Sequence, residues 1–249
     1  MIKLSVALPV FNSKKIAWLA MESLCRQKNV DFLWELVVAE ENTGEFCGEK
    51  FFKGYEERLK KVAGTLKYIK LTQWIPLFQK WKLIASQTAQ TSRTFILQAA
   101  DCYSEPHRLS NTFRYVNKGY DWVQNKKGVF FNIRTHQHIV YEDLDGVQNA
   151  GLNMATLTEY MRNLPDIPRR ACVDGWIYKS VQPKNKINLF GSECLFGVDT
   201  HGLNNISIKR EKFFNNPAFP FTKTDLRIES CLPTQISQRL YALRTECYE

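Results

Sequence analysis

The 249-residue chain has little of what marks several classes of protein. Only 12 residues are glycine and nine are proline, which excludes collagen-like and low-complexity structure. No apolar run approaches the roughly 18 residues that a transmembrane helix needs. The seven cysteines include no CxxC pair and the four histidines are scattered, so we expect reduced thiols and no zinc site. The opening segment MIKLSVALPVFNS is too short and too strand-like for a secretory signal, which favours a cytoplasmic location.

Aromatic residues and positive charge are abundant. Sixteen phenylalanines, ten tyrosines and six tryptophans supply enough apolar surface for a packed core, and the length suits one large domain. Thirty-four lysines and arginines against 25 acidic residues give a net charge of +9. This charge favours a polyanionic partner, which can be a nucleic acid, an acidic membrane surface or a phosphate-bearing small ligand.

The first hundred residues alternate between the periodicities of strands and helices. Apolar residues at every second position predict a strand over 2–10, and a helix over 16–24 follows, capped by Asn12 or Ser13. The other predicted strands are 36–38, 66–71 and 94–100, and the other predicted helices are 51–62 and the segment from Pro76 onward. This alternation predicts an α/β fold with a Rossmann-like, mostly parallel central sheet flanked by helices.

The second half is less regular, and no linker-like composition separates it from the first. The predicted strands are 129–133 and 138–141, as a hairpin-like pair, with 189–190 and 195–198. The predicted helices are 157–164, a segment that begins near Asp174, and 233–243. We therefore expect a single domain over 1–249, made of two halves over 1–110 and 111–205 and a basic, aromatic tail with a helix over 206–249.

Three polar loops follow predicted strands, namely Pro9–Asn12, Glu40–Thr43 and Asp101–Ser104. Ligands of parallel α/β sheets bind beyond the carboxyl ends of the strands, so these loops are the candidate site. Their carboxylates can hold a divalent cation or contact a sugar or a base. GxGxxG, GxxxxGK[ST] and GxSxG motifs are absent, which removes the usual support for dinucleotide, P-loop and hydrolase sites.

Three segments at these strand ends resemble motifs of one family, the large inverting (family 2-like) group of GT-A glycosyltransferases. LPVFN at 8–12 resembles the family's [IL]PxYN opening, and ELVVAEENT at 35–43 resembles its strand ending in paired aspartates. FILQAADCYSEPHRL at 95–109 resembles the metal-binding segment D-x-D-D-x-x-x-P-x-x-L. The segments occur in the family's order and together span about 2–110.

The resemblance implies a GT-A fold in which 1–110 binds a nucleotide sugar and 111–205 binds the acceptor. The residues it places at the donor are Pro9, Phe11, Asn12, Glu40, Glu41, Ala99, Ala100 and Asp101. Glu40 and Glu41 would contact the base and ribose, and Asp101 would bind Mn²⁺ or Mg²⁺ across the diphosphate. Ala99 stands where the first acid of the motif is expected, and Cys102 stands where a trailing acid is common.

The remaining site residues lie in the second half. VDGWIYKSV at 173–181 resembles the segment that carries the family's catalytic base, which implies that Asp174 takes the acceptor's proton. Val173 replaces the usual paired acid, and Trp176 could stack on an acceptor sugar ring. His201 in GVDTHGLNNIS is implied as a second metal ligand beside Asp101. Lys80 and Lys82 occupy a helix where the family often contacts a donor phosphate.

The resemblance predicts transfer of a sugar, with a UDP-linked donor favoured, to a hydroxyl of a glycan, lipid-linked or protein acceptor, with inversion and with a metal. A lipid-linked acceptor would be reached at a membrane surface from the cytosol. Two alternatives stay open: a basic nucleic-acid-binding module, disfavoured by the dispersed lysines and arginines, and a degenerate GT-A domain that binds donor without turnover. For the acids, the structural alternatives are a turn cap at Asp101, a solvated pair at Glu40 and Glu41, and a helix cap at Asp174.

Overall fold

The computed structural model describes residues 1–42, 44–125, 127–136, 138–142, 154–166, 173–189, 198–201, 221–222 and 228–248. The strands are β1 Leu4–Val10, β2 Trp34–Glu41, β3 Gly64–Leu71, β4 Thr94–Leu97, β5 Cys102–Tyr103, β6 Trp122–Asn125, β7 Lys127–Asn132, β8 His138–Glu142, β9 Met154–Leu157, β10 Lys186–Leu189, β11 Val198–His201 and β12 Phe221–Thr222. The helices are α1 Trp18–Leu24, α2 Glu49–Lys53, α3 Glu56–Lys60, α4 Leu77–Gln87, α5 Arg108–Asn117, α6 Thr158–Arg162, α7 Val173–Val181, α8 Ile228–Cys231 and α9 Thr234–Tyr248.

A seven-stranded central sheet confirms the predicted α/β architecture. Its strand order is β10-β6-β9-β4-β1-β2-β3. Every neighbouring pair is parallel except the two that β9 makes, because β9 runs antiparallel to both β4 and β6. The six strands other than β9, namely β1, β2, β3, β4, β6 and β10, therefore run in one direction, and their carboxyl ends meet at one edge of the sheet.

The alternating side chains of β1 explain why helices cover both faces of this sheet. Leu4, Val6 and Leu8 pack into one apolar cluster together with α1, and Ala7 packs into a second cluster beneath α4 and α7. All seven residues of β1 are buried. A strand buried on both faces is the expected centre of a parallel sheet.

A second, five-stranded sheet has the order β12-β8-β7-β11-β5. β7 and β8 form an antiparallel pair, which confirms the hairpin predicted over 129–141. Trp18 of α1 and Leu240 of α9 belong to the apolar cluster that also contains Val129 and Phe131 of β7. The second sheet, α1 and α9 are thereby packed together beside the candidate site.

Several predicted boundaries differ in the structure. Helix α1 begins at Trp18 and neither Asn12 nor Ser13 caps it with a side chain, because the Ser13 carbonyl instead accepts the N–H groups of Ile16 and Ala17 in a preceding turn. The predicted helix over 51–62 is two short helices that meet at Gly54. The predicted strand at 195–197, the Phe190 end of the strand at 189–190, and most of the tail from 206 lie outside the described residues.

Strand β4 ends at Leu97, three residues earlier than predicted, because the next side chain turns inward. The Gln98 amide is fully buried and donates to the carbonyl oxygens of Ala99 and Cys102 at 3.0 and 2.9 Å. This side chain holds the backbone of the following turn, in which Asp101 lies. Within the described ranges, no helix has the length and hydrophobicity needed to cross a membrane.

Candidate functional site

The ends of β1, β2 and β4 bring the three sequence-predicted segments to the same edge of the sheet. In the register of the parallel pairs, Val10 lies opposite Glu40 and Ala7 lies opposite Leu97. Pro9–Asn12, Glu40–Glu41 and Ala99–Asp101 are therefore neighbours at the carboxyl edge, as the sequence predicts for this fold. Thr43, the last residue of the predicted second loop, lies outside the described residues.

Glu40 fastens the loop that follows β2. Its carboxylate accepts the backbone N–H groups of Cys47 and Gly48 at 2.7 and 2.9 Å, and the phenol of Tyr68 on β3 at 2.9 Å. Burial, together with the hydrogen bond to this carboxylate, raises the pKa of Tyr68 well above its usual range. Glu40 is only 1% exposed. The alternative of a solvated pair of acids is therefore wrong for this residue.

Glu41 is equally buried and forms an ion pair inside the protein. One carboxylate oxygen lies 2.5 Å from Nζ of Lys80 on α4, and the other accepts the N–H of Ile75 at 3.3 Å. Lys80 also donates to the carbonyl of Val10 at 3.4 Å, and its Nζ lies 5.2 Å from the ring centre of Phe11. Burial lowers the pKa of Lys80 although Glu41 opposes this shift. Lys80 thus joins α4 to the ends of β1 and β2.

Asn12 links the loop after β1 to the loop after β2. It adopts a left-handed backbone conformation with φ of 48°, and its Oδ1 accepts the N–H of Glu45 at 3.2 Å. Gly44 also has a positive φ, 65°, and a Cβ there would lie 2.4 Å from Asn12 Oδ1. A side chain at residue 44 would therefore displace the Asn12 amide and strain the backbone, so glycine suits this position.

Three exposed aromatic residues lie on the loops at this edge. Phe11, Phe46 and Trp74 follow β1, β2 and β3, and their relative exposures are 37%, 42% and 47%. Soluble proteins bury most aromatic side chains, so a group of exposed rings beside one sheet edge marks a surface suited to a planar ligand. Sequence reasoning selected only Phe11, because Phe46 and Trp74 have no periodic context.

The turn that carries Asp101 is supported by a buried polar network. Gln98 Oε1 accepts the hydroxyl of Ser104 and the guanidinium of Arg108, and that guanidinium also donates to the Leu97 carbonyl at 2.7 Å. Asp101 itself is half-buried, and the Cys102 thiol donates to its Oδ1 with 3.6 Å between the two atoms. Ala100 is 5% exposed. Asp101 is the carboxylate that this segment presents at the sheet edge.

Helix α7 directs its N-terminus towards the same edge. After α7, the N–H groups of Lys184 and Asn185 donate to the carboxylate of Asp121, which directly precedes β6. The C-terminal end of α7 thus lies at the amino end of β6. The ring of Tyr178 packs 5.1 Å from that of Trp122, so α7 lies along the sheet. Nine helical residues span about 13 Å, which brings the backbone of Asp174 towards the carboxyl edge.

Trp176 is half-buried and packs against the second apolar cluster, to which Ile177 belongs. This contact gives its ring a structural role beneath α7, in addition to the acceptor contact that the sequence predicts. The helix predicted near Asp174 is confirmed and begins at Val173. The side chain of Asp174 lies outside the described part of the chain.

Strand β11, which ends at His201, pairs with β5, the strand that directly follows Asp101. β11 pairs antiparallel with β5, and Asp199 lies opposite Cys102 in that register. His201 is two residues further on, opposite Asn132 of β7. The side chains of Asp199 and His201 lie outside the described part of the chain. Among the side chains that the structure describes, no three His, Cys, Asp or Glu residues form a metal site.

Comparison with known proteins gives matches only among solved structures. No family model matches the chain, and no curated protein matches it. Residues 1–349 of S. aureus TarS align with a TM-score of 0.60 and 14% identity, over 80% of this chain and 60% of that one. The mannosyltransferase PcManGT from Pyrobaculum calidifontis, in complex with GDP-Man and Mn²⁺, aligns with a TM-score of 0.56 and 11% identity, over 86% and 60%.

The chain has the GT-A fold. A third structure, TarS 1–349 in complex with UDP-GlcNAc, aligns with a TM-score of 0.61 and 15% identity over 82% of this chain. The chain spans about 60% of the length of each of these three structures. The resemblance found in the sequence is thus confirmed at the level of the fold, and the GT-A carboxyl edge is the one at which the predicted segments meet.

A buried acid that the sequence analysis did not select, Glu105, follows the turn that carries Asp101. Glu105 is 3% exposed, and its carboxylate accepts the N–H of His107 at 2.5 Å. Burial raises the pKa of Glu105 to about 7, against the opposing effects of that hydrogen bond and of the charge on Arg108. Between about pH 4.5 and 7 the folded protein holds a proton that the unfolded chain has released.

This proton makes stability depend on pH in a predictable direction. The stability that the proton on Glu105 contributes is fully present below the pKa of this carboxyl in the unfolded chain, and it is lost as pH rises through the pKa of the same carboxyl in the folded protein. We expect the free energy of unfolding of Glu105→Gln, relative to the wild type, to rise by up to about 3 kcal/mol from pH 4.5 to pH 8. Urea unfolding at both values measures this difference, and the exposed variant Glu45→Gln serves as the control. A pH dependence identical in wild type and Glu105→Gln would contradict the prediction.

Proposed function

We propose that the protein is a glycosyltransferase that moves a sugar from a nucleotide-sugar donor, with UDP preferred, to a hydroxyl acceptor with inversion and with a divalent metal. The observation that carries this proposal is the convergence, in a GT-A fold, of the three motif-bearing segments at the carboxyl edge of β1, β2 and β4. Residues 1–249 would act as one catalytic domain. We propose the cytoplasm, including the surface of a membrane, as its location.

The donor would lie across the edge, with its base among the exposed rings. Pro9, Phe11 and Asn12 would line the base. Because their side chains are small, Ala99 and Ala100 would let the donor approach the protein backbone in the turn after β4. The similar structures support this class of donor, because TarS 1–349 was determined in complex with UDP and with UDP-GlcNAc, and PcManGT with GDP-Man. A pyrimidine or purine ring stacks favourably on an exposed aromatic face.

Glu40 and Glu41 would act by positioning the loops around the donor. Each carboxylate already accepts hydrogen bonds from the protein, and these hold the segments that carry Phe46 and Trp74. A direct contact with base and ribose, which the sequence predicts for both acids, would use only their remaining lone pairs. We therefore propose positioning as their main role, with Lys80 neutralising Glu41 instead of contacting a donor phosphate.

Asp101 and His201 would hold the divalent cation. Carboxylate and imidazole are donor groups that Mn²⁺ accepts, and a carboxylate together with substrate phosphates is the usual set for Mg²⁺, so the residues fit such an ion. When bound, the cation neutralises charge on the departing diphosphate. The protein's own contribution is to hold Asp101 in the turn that Gln98 and Arg108 support.

Asp174 would be the general base. Inversion requires one carboxylate to accept the proton of the acceptor hydroxyl while that oxygen attacks the anomeric carbon from the face opposite the leaving group. Asp174 lies in the first turn of α7, and the positive end of a helix favours the ionised form that a base needs. Trp176, two residues on, would contact the acceptor, which we propose to be a glycan, lipid-linked or protein-linked hydroxyl.

The test is release of nucleoside diphosphate from a panel of UDP-, GDP- and other nucleotide sugars with Mn²⁺ or Mg²⁺. We expect one donor to be turned over, and Asp101→Ala to lower that rate about 100-fold because the cation that would neutralise the diphosphate loses a protein ligand. The exposed variant Asp31→Ala is the matched control. Absence of binding and hydrolysis for every donor, with nucleotide binding unchanged in Asp101→Ala, would overturn the proposal.

A degenerate domain that binds donor without turnover is the second candidate, and Ala99 favours it because no acid stands at the first position of the metal motif. Tight, metal-dependent UDP binding without transfer to any acceptor would support this alternative. Restoring the acid with Ala99→Asp would then be expected to raise donor hydrolysis in the same assay.

A further inference from the structure

A cavity of about 420 Å³ lies outside the strand-end site, between the start of α1, the loop after β2, α2 and α9. Its lining residues are Lys14, Lys15, Trp18, Glu45, Phe51, Arg239 and Leu243. None of them is a residue to which the proposed function gives a role. The volume is within the usual range of about 300–1,000 Å³ for small-molecule sites.

Apolar side chains form part of the wall of the cavity. Trp18 is 2% exposed, and its indole N–H donates to the Lys15 carbonyl at 2.9 Å. Leu243 is 4% exposed and belongs with Trp18 to the apolar cluster that joins α1 and α9. Phe51 completes the wall and is held edge-on by Phe52, with 5.0 Å between the ring centres. Trp18 and Leu243 are buried behind this wall, so the half-buried ring of Phe51 is the apolar surface that a ligand could contact here.

The rim of the cavity carries excess positive charge that the described residues do not neutralise. Lys14, Lys15 and Arg239 face one acid, Glu45. Within the described ranges none of the three cations forms an ion pair, and Arg239 instead stacks on Trp18 with 4.0 Å between Cζ and the ring centre. Like charges brought together beside an apolar wall attract anions more strongly than isolated surface lysines do.

The charge comes together only in the folded chain. Lys14 and Lys15 belong to the turn before α1, and Arg239 lies more than two hundred positions later on α9. A planar guanidinium and two ammonium groups match the oxygens of a phosphate monoester, and the half-buried ring of Phe51 can contact an apolar body attached to it. We propose that this cavity binds a phosphate ester with an apolar body, at a site separate from the nucleotide.

The cavity is connected to the strand-end site through one loop. Lys14 follows Asn12 by two residues, and Asn12 holds the N–H of Glu45, which lines the cavity. An occupant that draws Lys14 and Lys15 towards the cavity would therefore act on the loop that carries Phe11. The binding itself does not depend on the proposed transfer reaction.

The probe for the experiment is 1-naphthyl phosphate, and its binding to the full chain is measured by calorimetry. We expect saturable binding that Lys14→Ala/Lys15→Ala and, separately, Arg239→Ala each weaken about tenfold or more, because a charge-assisted contact is lost. The control Lys60→Ala/Lys61→Ala removes the same charge from an exposed site on and after α3 and should leave binding unchanged. Saturating UDP should not displace the probe, which separates this site from the proposed donor site.

Vesicles distinguish the source of the phosphate. The protein is sedimented with phosphatidylcholine vesicles that either contain or lack phosphatidic acid. A lipid headgroup is the ligand if the wild type sediments only with the acidic vesicles and the Lys14/Lys15 double variant does not sediment with them. A soluble phosphate ester is the ligand if only the naphthyl probe binds. Absence of both interactions at millimolar probe, displacement of the probe by UDP, or an equal loss in the Lys60/Lys61 control would overturn the proposal.

Discussion

Lys80→Met is expected to lower the free energy of unfolding by about 3–5 kcal/mol, because it leaves the carboxylate of Glu41 buried without its cation. Lys80 is 3% exposed and Glu41 is 1% exposed, so bulk solvent does not reach the carboxylate to compensate for the lost ammonium group. Total stability for a domain is usually about 5–15 kcal/mol, so this change removes a large share. Urea unfolding followed by far-ultraviolet circular dichroism measures the loss.

Two further variants make this result specific. Lys82→Met removes the neighbouring lysine on α4, whose ion pair with Asp166 is exposed, and should cost about 0–1 kcal/mol. Lys80→Met/Glu41→Gln removes both buried charges and should recover most of the loss, because burial already opposes the charged form of Lys80. Equal effects of Lys80→Met and Lys82→Met would show that the buried pair contributes nothing particular.

Asp174→Asn is expected to reduce kcat for sugar transfer by about 10²–10⁴-fold, the usual contribution of a general base. The amide keeps the shape of the side chain and removes its ability to accept the acceptor's proton. Binding of the nucleotide donor should be unchanged, since the base acts on the acceptor. Transfer rates and donor affinity measured on the same preparation separate these two effects.

Asp166→Asn is the matched control for this prediction. Asp166 is exposed, lies shortly after α6, and pairs only with the exposed Lys82 among the described residues. It should keep the wild-type rate. If Asp174→Asn retains more than about half of the wild-type kcat, another residue must accept the proton, because losing a base is expected to cost at least about 10²-fold.

The parallel part of the fold could be predicted from the sequence, because its strands are apolar on both faces and are separated by helices with clear periodicity. β1 and β2 and the helix after Pro76 illustrate this. β6 and β9 could not be predicted, since WVQN and MATL are four residues long and have no alternation that distinguishes a strand from a loop. The antiparallel insertion of β9 is a long-range pairing that no local pattern encodes.

The candidate site, like the fold, could be predicted from the sequence only in part. The positions of Asp101 and of Glu40 and Glu41 at strand ends follow from local motifs. Their partners do not, because Lys80 on α4 and Tyr68 on β3 become neighbours of those acids only in the assembled sheet. A pattern of charges along the chain therefore identifies which carboxylates lie at the edge but not which of them are already neutralised.

The position of β9 in the central sheet has a consequence for the order in which the protein assembles during synthesis. β6 has only β9 and β10 as neighbours in the sheet, and both follow it in the chain. A ribosome that has released residues up to Asn125 has delivered β1–β4, which can pair at once, together with a β6 whose partners do not yet exist. β6 must wait until Leu157 emerges, and until then it presents an unpaired edge to other nascent chains.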